Sequence, residues 1–551
     1  MKTFYNSLIA TTMISAAFLN TPKVIAQTPE VAINGVPHKN KIGSFISVKP
    51  TGQTSTIVIP SETHTFQLLA QSGSTLYTAG GGIMPGNNDF TAYVGKNGSS
   101  KVGYLSVNHE NNPGGVSILD IHLNEADNVW EVDAVRKVDF SPLVKTDRNC
   151  SGGITPWGTV ITTEESYNLG DANGDGYQDV GWQVEIDPVT GKIRDYNQDG
   201  KPDKLWALGR MNHENIAISS DGATAYQAED GGTGGVYKFV ADQPGNLSAG
   251  TLYVLKLDGT NATTGTWVQV PNTTQADRNN TRTLAGAVGG TNWSGPEDIE
   301  FGPDGKMYFT SKGTGTIWRF KDNGTTVSEI EAWVTRKLYD INYDGGTLTE
   351  DWGTGIDNLT FDGEGNLWAL QDGGRNNLWV IRPEHTPENP RVELFMTTPA
   401  GSEPTGLTFS PDFKYGFVSI QHPNSANATT VIKDAAGNDV IFNSAATIVF
   451  SRKQFLGKES GQNKVAAEIV TVYPNPFLEG AHVKVKLPAQ AQVVLEVYDI
   501  QGELVSTLAN GLLESGEHNF EFKPSEASAN TIYLVRLLVN NQETTTRIIK
   551  K

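Results

Sequence analysis

The residues of this 551-residue chain most able to do chemistry are one thiol and a scatter of carboxylates. Cys150 is the sole cysteine, in the stretch NCSGGITPWGTVITTEES at 149–166, and Glu165 stands near the end of the same stretch. A lone thiol closes no internal disulfide, so it is a buried small hydrophobe, an intermolecular link or a ligand. The tetrapeptide NHEN occurs twice, at 108–111 and 212–215, which predicts that Glu110 and Glu214 share one local setting. Glu297, Asp357 and Glu403 stand beside strand-like runs further along. A thiolate is a soft ligand and carboxylates are hard ones, so the set suits iron at the sulfur and calcium among the oxygens. Zinc sites carry more histidine or cysteine, and the nine histidines include no H-x-x-x-H pair. The sequence has neither a G-x-S-x-G elbow nor a P-loop, in keeping with a site that works through metals alone.

Residues so far apart meet only if the elements carrying them surround a common axis. Four stretches overlay by their apolar alternation: HENIAISSDGATAYQAEDGGTGGVYKF, PEDIEFGPDGKMYFTSKGTGTIWRF, IDNLTFDGEGNLWALQDGGRNNLWVI and PTGLTFSPDFKYGFVSIQHP. Each reads as strand, tight turn and strand, with SSDG, GPDG, DGEG or SPDF as the turn. The shared apolar positions, Ile216, Ile299, Leu359 and Leu407, recur at roughly 50 to 80 residues, longer than a simple propeller blade of about 40–50. The reading is an all-β chain, a β-propeller with insertions. Two residues before the shared position stand Glu214, Glu297 and Asp357, while the fourth copy has Thr405 there and Glu403 two residues earlier. With Ile154 as anchor, Cys150 falls at the offset of Glu403. If these positions begin the innermost strands, the acids and the thiol gather at one mouth of the channel, where like charges need cations.

Composition agrees. Sixty-one acidic against 42 basic residues give a net charge of −19, which repels nucleic acid and anionic membranes and favours metal cations. The insertion after Glu165 holds two oxygen-rich loops: DANGDGYQD with Asp171, Asn173, Asp175 and Asp179, and DYNQDGKPD with Asp195, Asn197, Asp199 and Asp203. Alternate oxygens and a glycine at the sharp turn, Gly176 or Gly200, are what a calcium loop needs, so both are read as structural calcium sites. DINYDGGTLTED at 340–351 is a third stretch of similar composition. Lys2, a mostly apolar run over 8–19 and Ala26 read as a cleaved signal peptide at 1–26. No later run approaches the roughly 20 apolar residues of a membrane span. After about Gly457 a polar linker leads to strand-like AHVKVKLP, VVLEVYDIQG, HNFEFKP and TIYLVRLLVN, which alternate as a small β-sandwich does.

NHE near 108, NCSGGITPWGTVITTEES, GRMNHE, AEDGG, the PE at 296, DNLTFDGEGNLW and EPTGLTFSPD with IQHP occur in the order found in PhoX-type alkaline phosphatases, which the chain resembles from about Asp89 to about Arg452. The resemblance implies a six-bladed propeller with two ferric and three calcium ions at one end of the channel. It implies that Cys150 is the iron thiolate and that Glu110, Glu165, Glu214, Glu297, Asp357 and Glu403 are carboxylate ligands to iron or calcium. Cys150, Glu110, Glu165, Glu214 and Glu297 would then carry the catalysis of a phosphatase acting on small organic phosphate monoesters. One departure stands out: the family motif Arg-Pro-Glu is Gly295, Pro296 and Glu297 here, and Arg210 or Arg375 are the candidates to replace the missing guanidinium. The loss keeps open a phosphodiesterase or phosphotriesterase of the same fold, while a non-catalytic, calcium-stabilised surface propeller is the alternative outside catalysis. YPNPF, VYDIQGELV and the terminal TTTRIIKK resemble the type A sorting domain of type IX secretion, which implies a chain handled by that machinery and secreted or held at the cell surface. The expected organisation is signal peptide 1–26, propeller 27–456, linker 457–466 and sorting domain 467–551, in a monomer.

Overall fold

A computed structural model describes residues 41–231, 234–373, 375–457, 471–487, 489–499, 504–524, 531–539 and 542–551. The expected signal peptide, 1–26, lies outside the described residues, as does the linker 457–466 apart from Gly457. The described residues form two compact units, 41–457 and 471–551.

Strands of the first unit are bounded by the turns read from the sequence. Gly222, Gly305 and Gly365 end SSDG, GPDG and DGEG at φ of 71°, 78° and 79°, and Phe413 takes the same left-handed position, φ 53°, at the end of SPDF. Among the described residues of this unit, six four-stranded antiparallel blades follow one another. Their innermost strands are Asn88–Gly95, Asn149–Ile154, His213–Ile218, Ile299–Phe301, Ile356–Phe361 and Glu403–Phe409. Each touches the next and the last returns to the first, so the sheet edges face one channel. The ring is fastened by strand His64–Gln71, from the start of the unit, which pairs with Ala446–Arg452 from its end. Strand Gly265–Val270 adds a bridge between the third and fourth blades.

Aromatic and aliphatic wedges fill the gaps between blades. Trp368, Phe395 and Phe450 pack between the fifth and sixth, Trp333, Trp352 and Trp379 between the fourth and fifth, and Tyr93, Trp130 and Phe417 between the sixth and first. Burying each such side chain contributes about 1.5–3 kcal/mol, which makes these wedges what holds the strand ends at fixed positions round the axis.

The stretch 340–351 departs from the calcium reading. Leu338–Tyr343 and Gly346–Asp351 form an antiparallel hairpin with Asp340 opposite Thr349. Extended strands do not wrap the six or more oxygens calcium takes.

The second unit is a sandwich. One sheet runs in the order Thr471–Tyr473, Ala481–Leu487, Gly516–Phe522, and the other Leu504–Leu513, Ala491–Asp499, Thr531–Val539, Gln542–Lys550. Alternate residues Ala481, Val483, Val485 and Leu487 meet Val493, Leu495, Val497, Phe522 and Tyr533 in its core. No helix among the described residues is long and apolar enough to cross a membrane.

Candidate metal centre

Four innermost strands enter the ring through the same irregularity. Pairing shifts between Asn88 and Thr91, Asn149 and Gly152, His213 and Ile216, and Ile356 and Leu359. Each of these β-bulges re-aims the residue after its first paired one: Asp89, Cys150, Glu214 and Asp357. The register corrects the sequence frame, because Gly152, not Ile154, stands where Ile216 and Leu359 do. Cys150 therefore shares the offset of Glu214 and Asp357 rather than that of Glu403. A side chain at Gly152 would put Cβ 2.1 Å from the Ile161 carbonyl oxygen, so packing forbids the apolar mark that identifies the other copies. Glu297, just ahead of its strand, and Glu403, at the start of its own, complete this inner set.

A second set follows the end of the next strand in every blade. Glu110 comes after Val102–His109, Glu165 after Val160–Glu164, Asp230 after Thr224–Glu229, Lys312 after Met307–Ser311, Asp372 after Leu367–Gln371 and His422 after Tyr415–Gln421. The two NHEN copies thus occupy different settings: Glu110 follows a second strand and Glu214 lies in an innermost one. They reach one site from different positions.

Distances confirm the convergence. Cys150 Sγ lies 3.5 Å from Asp89 Oδ2 and 3.4 Å from Glu214 Oε2. Three groups have ligand atoms within 4.8 Å of one another: Asp89, Glu110 and Cys150; Cys150, Glu165 and Glu214; Glu214, Asp230 and Glu297. Glu165 meets Glu110, Glu297 meets Asp230 and Glu403 meets Asp372 side chain to side chain. Gln421 Nε2 donates to Asp89 Oδ2 at 3.2 Å and Glu110 Oε2 at 3.0 Å. Lys312 Nζ reaches Asp372 at 2.8 Å, Asp357 at 2.9 Å and Glu297 at 3.6 Å, and Arg148 reaches Glu165 at 3.3 Å and Glu110 at 4.0 Å. All seven residues read as ligands from the sequence lie in this constellation. Asp89, Asp230, Lys312, Asp372, Gln421 and His422 were not read as site residues; the D-G-G shared by AEDGG and LQDGG marks Asp230 and Asp372 and is the signal that finds them.

Burial, then the neighbouring Asp89 and Glu214, pushes the Cys150 thiol well up. Burial also raises Asp89, Glu214, Glu297 and Asp357, pushes Glu165 up to about 8 and Glu403 up to about 11, with neighbouring carboxylates adding to the rise. Metal charge in such a place reverses the direction for acids and thiol alike. Glu297 Oε1 and Glu403 Oε2 are buried with no hydrogen-bond donor, and the donor set is carboxylates with one thiol, so the residues fit metal ions.

The strands beneath are held by dedicated contacts. Asn108 Nδ2 donates to the Cys150 and Ser151 carbonyl oxygens at 2.9 and 2.8 Å. Trp157, partly buried, donates to Glu185 at 2.7 Å across the next turn of the same blade. Next to Glu165, the fully buried Glu164 accepts from Lys204 Nζ at 2.6 Å, Thr146 at 2.8 Å and the backbone of Gly181 and Trp182 at 3.0 Å. Lys204→Met leaves that carboxylate without its cation, and a loss of about 3–5 kcal/mol is expected, read as a lower denaturant midpoint of the propeller.

The two acidic loops share one hydrogen-bond pattern. Asp171 Oδ2 accepts from Gly176 N at 3.0 Å, Asp195 Oδ2 accepts from Gly200 N at 2.9 Å, and both glycines sit at φ 87°. Asn173 and Asp175, and Asn197 and Asp199, bind the backbone within each loop, while Asp179 and Asp203 accept from its base at Ala172 and Tyr196. Neither arginine proposed to replace the missing guanidinium is free. Arg210 is buried, donates to the Val180 and Asn168 carbonyls and lies over Tyr167, and Arg375 pairs with Glu350 at 3.0 Å.

Residues 126–424 match the family described as alkaline phosphatase PhoX, and residues 471–551 match the secretion system C-terminal sorting domain. The chain is similar in fold to Pseudomonas fluorescens PhoX in complex with vanadate, a transition state analogue: 21% identity, TM-score 0.59, covering 76% of this chain and 100% of that one. Virginiamycin B lyase of Staphylococcus aureus (12% identity, TM-score 0.33, 70% and 99% coverage) and the soluble aldose sugar dehydrogenase of Escherichia coli (14%, 0.33, 62% and 99%) are more distant. No curated protein sequence matches the chain.

Proposed function

Because the chain belongs to the PhoX alkaline phosphatase family and ends in a sorting domain that exports it, we propose that it is a secreted or surface-held, metal-dependent phosphatase acting on small organic phosphate monoesters. The observation that carries this reading is that Cys150 belongs to two groups whose ligand atoms lie within 4.8 Å of one another, one with Asp89 and Glu110 and one with Glu165 and Glu214. Cys150 and the carboxylates around it would hold iron, and Glu297, Asp357 and Glu403 with their neighbours would hold calcium, two ferric and three calcium ions in all. Such ions supply positive charge for the phosphoryl oxygens and make water a stronger nucleophile.

The chain's own residues do the positioning. Gln421 ties Asp89 to Glu110, so acids from the innermost and second strands of the first blade are oriented together. Arg148 neutralises the solvent side of Glu110 and Glu165. Asn108 fixes the backbone immediately after the thiol-bearing Cα. The loops at 171–179 and 195–203 would bind structural calcium and stiffen the insertion, and the molecule would act as a monomer.

Gly295 keeps the diester alternative in play, and substrate comparison separates the two readings. Full-length protein with iron and calcium is expected to hydrolyse p-nitrophenyl phosphate faster than bis-p-nitrophenyl phosphate. A higher kcat/KM on the diester would replace the monoester reading, and no turnover of either would favour the non-catalytic one.

A further inference from the structure

Lys312 breaks the pattern of the second set. Its equivalents in the other blades are Glu110, Glu165, Asp230, Asp372 and His422, so the fourth blade alone contributes a permanent cation at this position. The ammonium touches both sets, Asp357 and Glu297 from the inner one and Asp372 from the second, whereas Arg148 touches only the second-set residues Glu110 and Glu165. The side chain remains 31% exposed, within reach of a ligand arriving from solvent.

Its neighbour in space is Gly295. Lys312 N donates to the Gly295 carbonyl oxygen at 2.7 Å, which puts the two residues side by side. A Cβ at Gly295 would have Asp230 Oδ1 at 3.3 Å, and Glu297 Oε1 and the Lys312 Cβ at 3.6 Å, as its nearest atoms. The glycine therefore lets two acids and the lysine stem close in around it, which fixes where the lysine stem starts. An ammonium has three donors, and the two short contacts to Asp357 and Asp372 leave one for a ligand. A phosphoryl dianion entering an acid-lined mouth is repelled by every carboxylate it passes, and a charge-assisted hydrogen bond from a fixed cation offsets that.

Resting on the phosphatase reading, we propose that Lys312 binds the phosphoryl oxygens of the substrate with the exposed part of its ammonium. It acts as a point charge rather than a planar fork, so it tolerates more than one phosphoryl orientation.

The test uses full-length, metal-loaded protein with Lys312→Gln and Lys312→Arg. In the glutamine variant, KM for p-nitrophenyl phosphate and the dissociation constant for inorganic phosphate, measured by titration calorimetry, are expected to rise together by roughly tenfold or more. Iron and calcium per chain should stay at the wild-type level, and Lys312→Arg should recover most of the phosphate affinity. Unchanged KM and phosphate affinity in Lys312→Gln would overturn the assignment. So would loss of metal together with affinity, since the lysine would then only balance the carboxylates. Wild-type protein that neither binds phosphate nor hydrolyses the ester would instead remove the phosphatase reading itself.

Discussion

Glu214→Gln is expected to lower phosphatase activity roughly a hundredfold or more, with the fold intact. Glu214 belongs to two of the three ligand groups, the one with Cys150 and Glu165 and the one with Asp230 and Glu297. No other residue of those groups except Cys150 is shared in this way. The amide has nearly the shape of the carboxylate, so the bulge that aims it need not change. It removes a charge, however, and puts N–H donors among Cys150, Glu165 and Glu297, none of which gains from an added donor once a cation is bound. Steady-state hydrolysis of p-nitrophenyl phosphate checks the rate, and circular dichroism checks the fold.

Chelation is the second large effect. Stripping the cations is expected to abolish hydrolysis and to lower the melting temperature by roughly 10 °C, taking several kcal/mol at about 2–4 °C per kcal/mol. The loss should be larger at pH 8 than at pH 5.5. In the metal-free chain, burial and the neighbouring acids push Glu165 up to about 8 from an ordinary value of 4.5, and Glu403 up to about 11. Between 4.5 and 8 the folded chain then holds a proton on Glu165 that the unfolded chain has released. Stability falls with rising pH wherever the folded state binds more protons, so the metal-free protein weakens as pH climbs through that window. With cations bound the carboxylates are ionised and matched, and this penalty is absent. Thermal scans with and without chelator at the two pH values measure the difference; a chelator effect that is equal at both, or larger at pH 5.5, would contradict it.

Much of the site is legible in the sequence because inner strands begin with an apolar residue at a constant distance from the acid. Glu214, Glu297 and Asp357 are found that way. Cys150 was placed two residues out of register because the anchoring position in its blade is Gly152, which close packing against Ile161 keeps bare. The second set was mostly missed for a different reason. Asp230, Lys312, Asp372 and His422 follow the far ends of strands, where the apolar alternation has stopped and only the D-G-G of Asp230 and Asp372 recurs. Asp89 escaped because the turn of the first blade, KNGS at 96–99, matches none of the turns by which the four stretches overlay. The hairpin at 338–351 shows the limit of composition: Asp and Gly in a short stretch suit a calcium loop and a two-stranded turn equally, and only the pairing of Asp340 with Thr349 decides.

On the reading proposed above, thiol and carboxylates from all six blades hold one cluster of cations. Elemental analysis of full-length protein purified in calcium, alongside Glu214→Gln, tests it most directly. Iron and calcium in stoichiometric amounts with little zinc in the wild type, and iron lost in the variant, is the predicted result. Stoichiometric zinc without iron, or a metal content that Glu214→Gln leaves untouched, would contradict it.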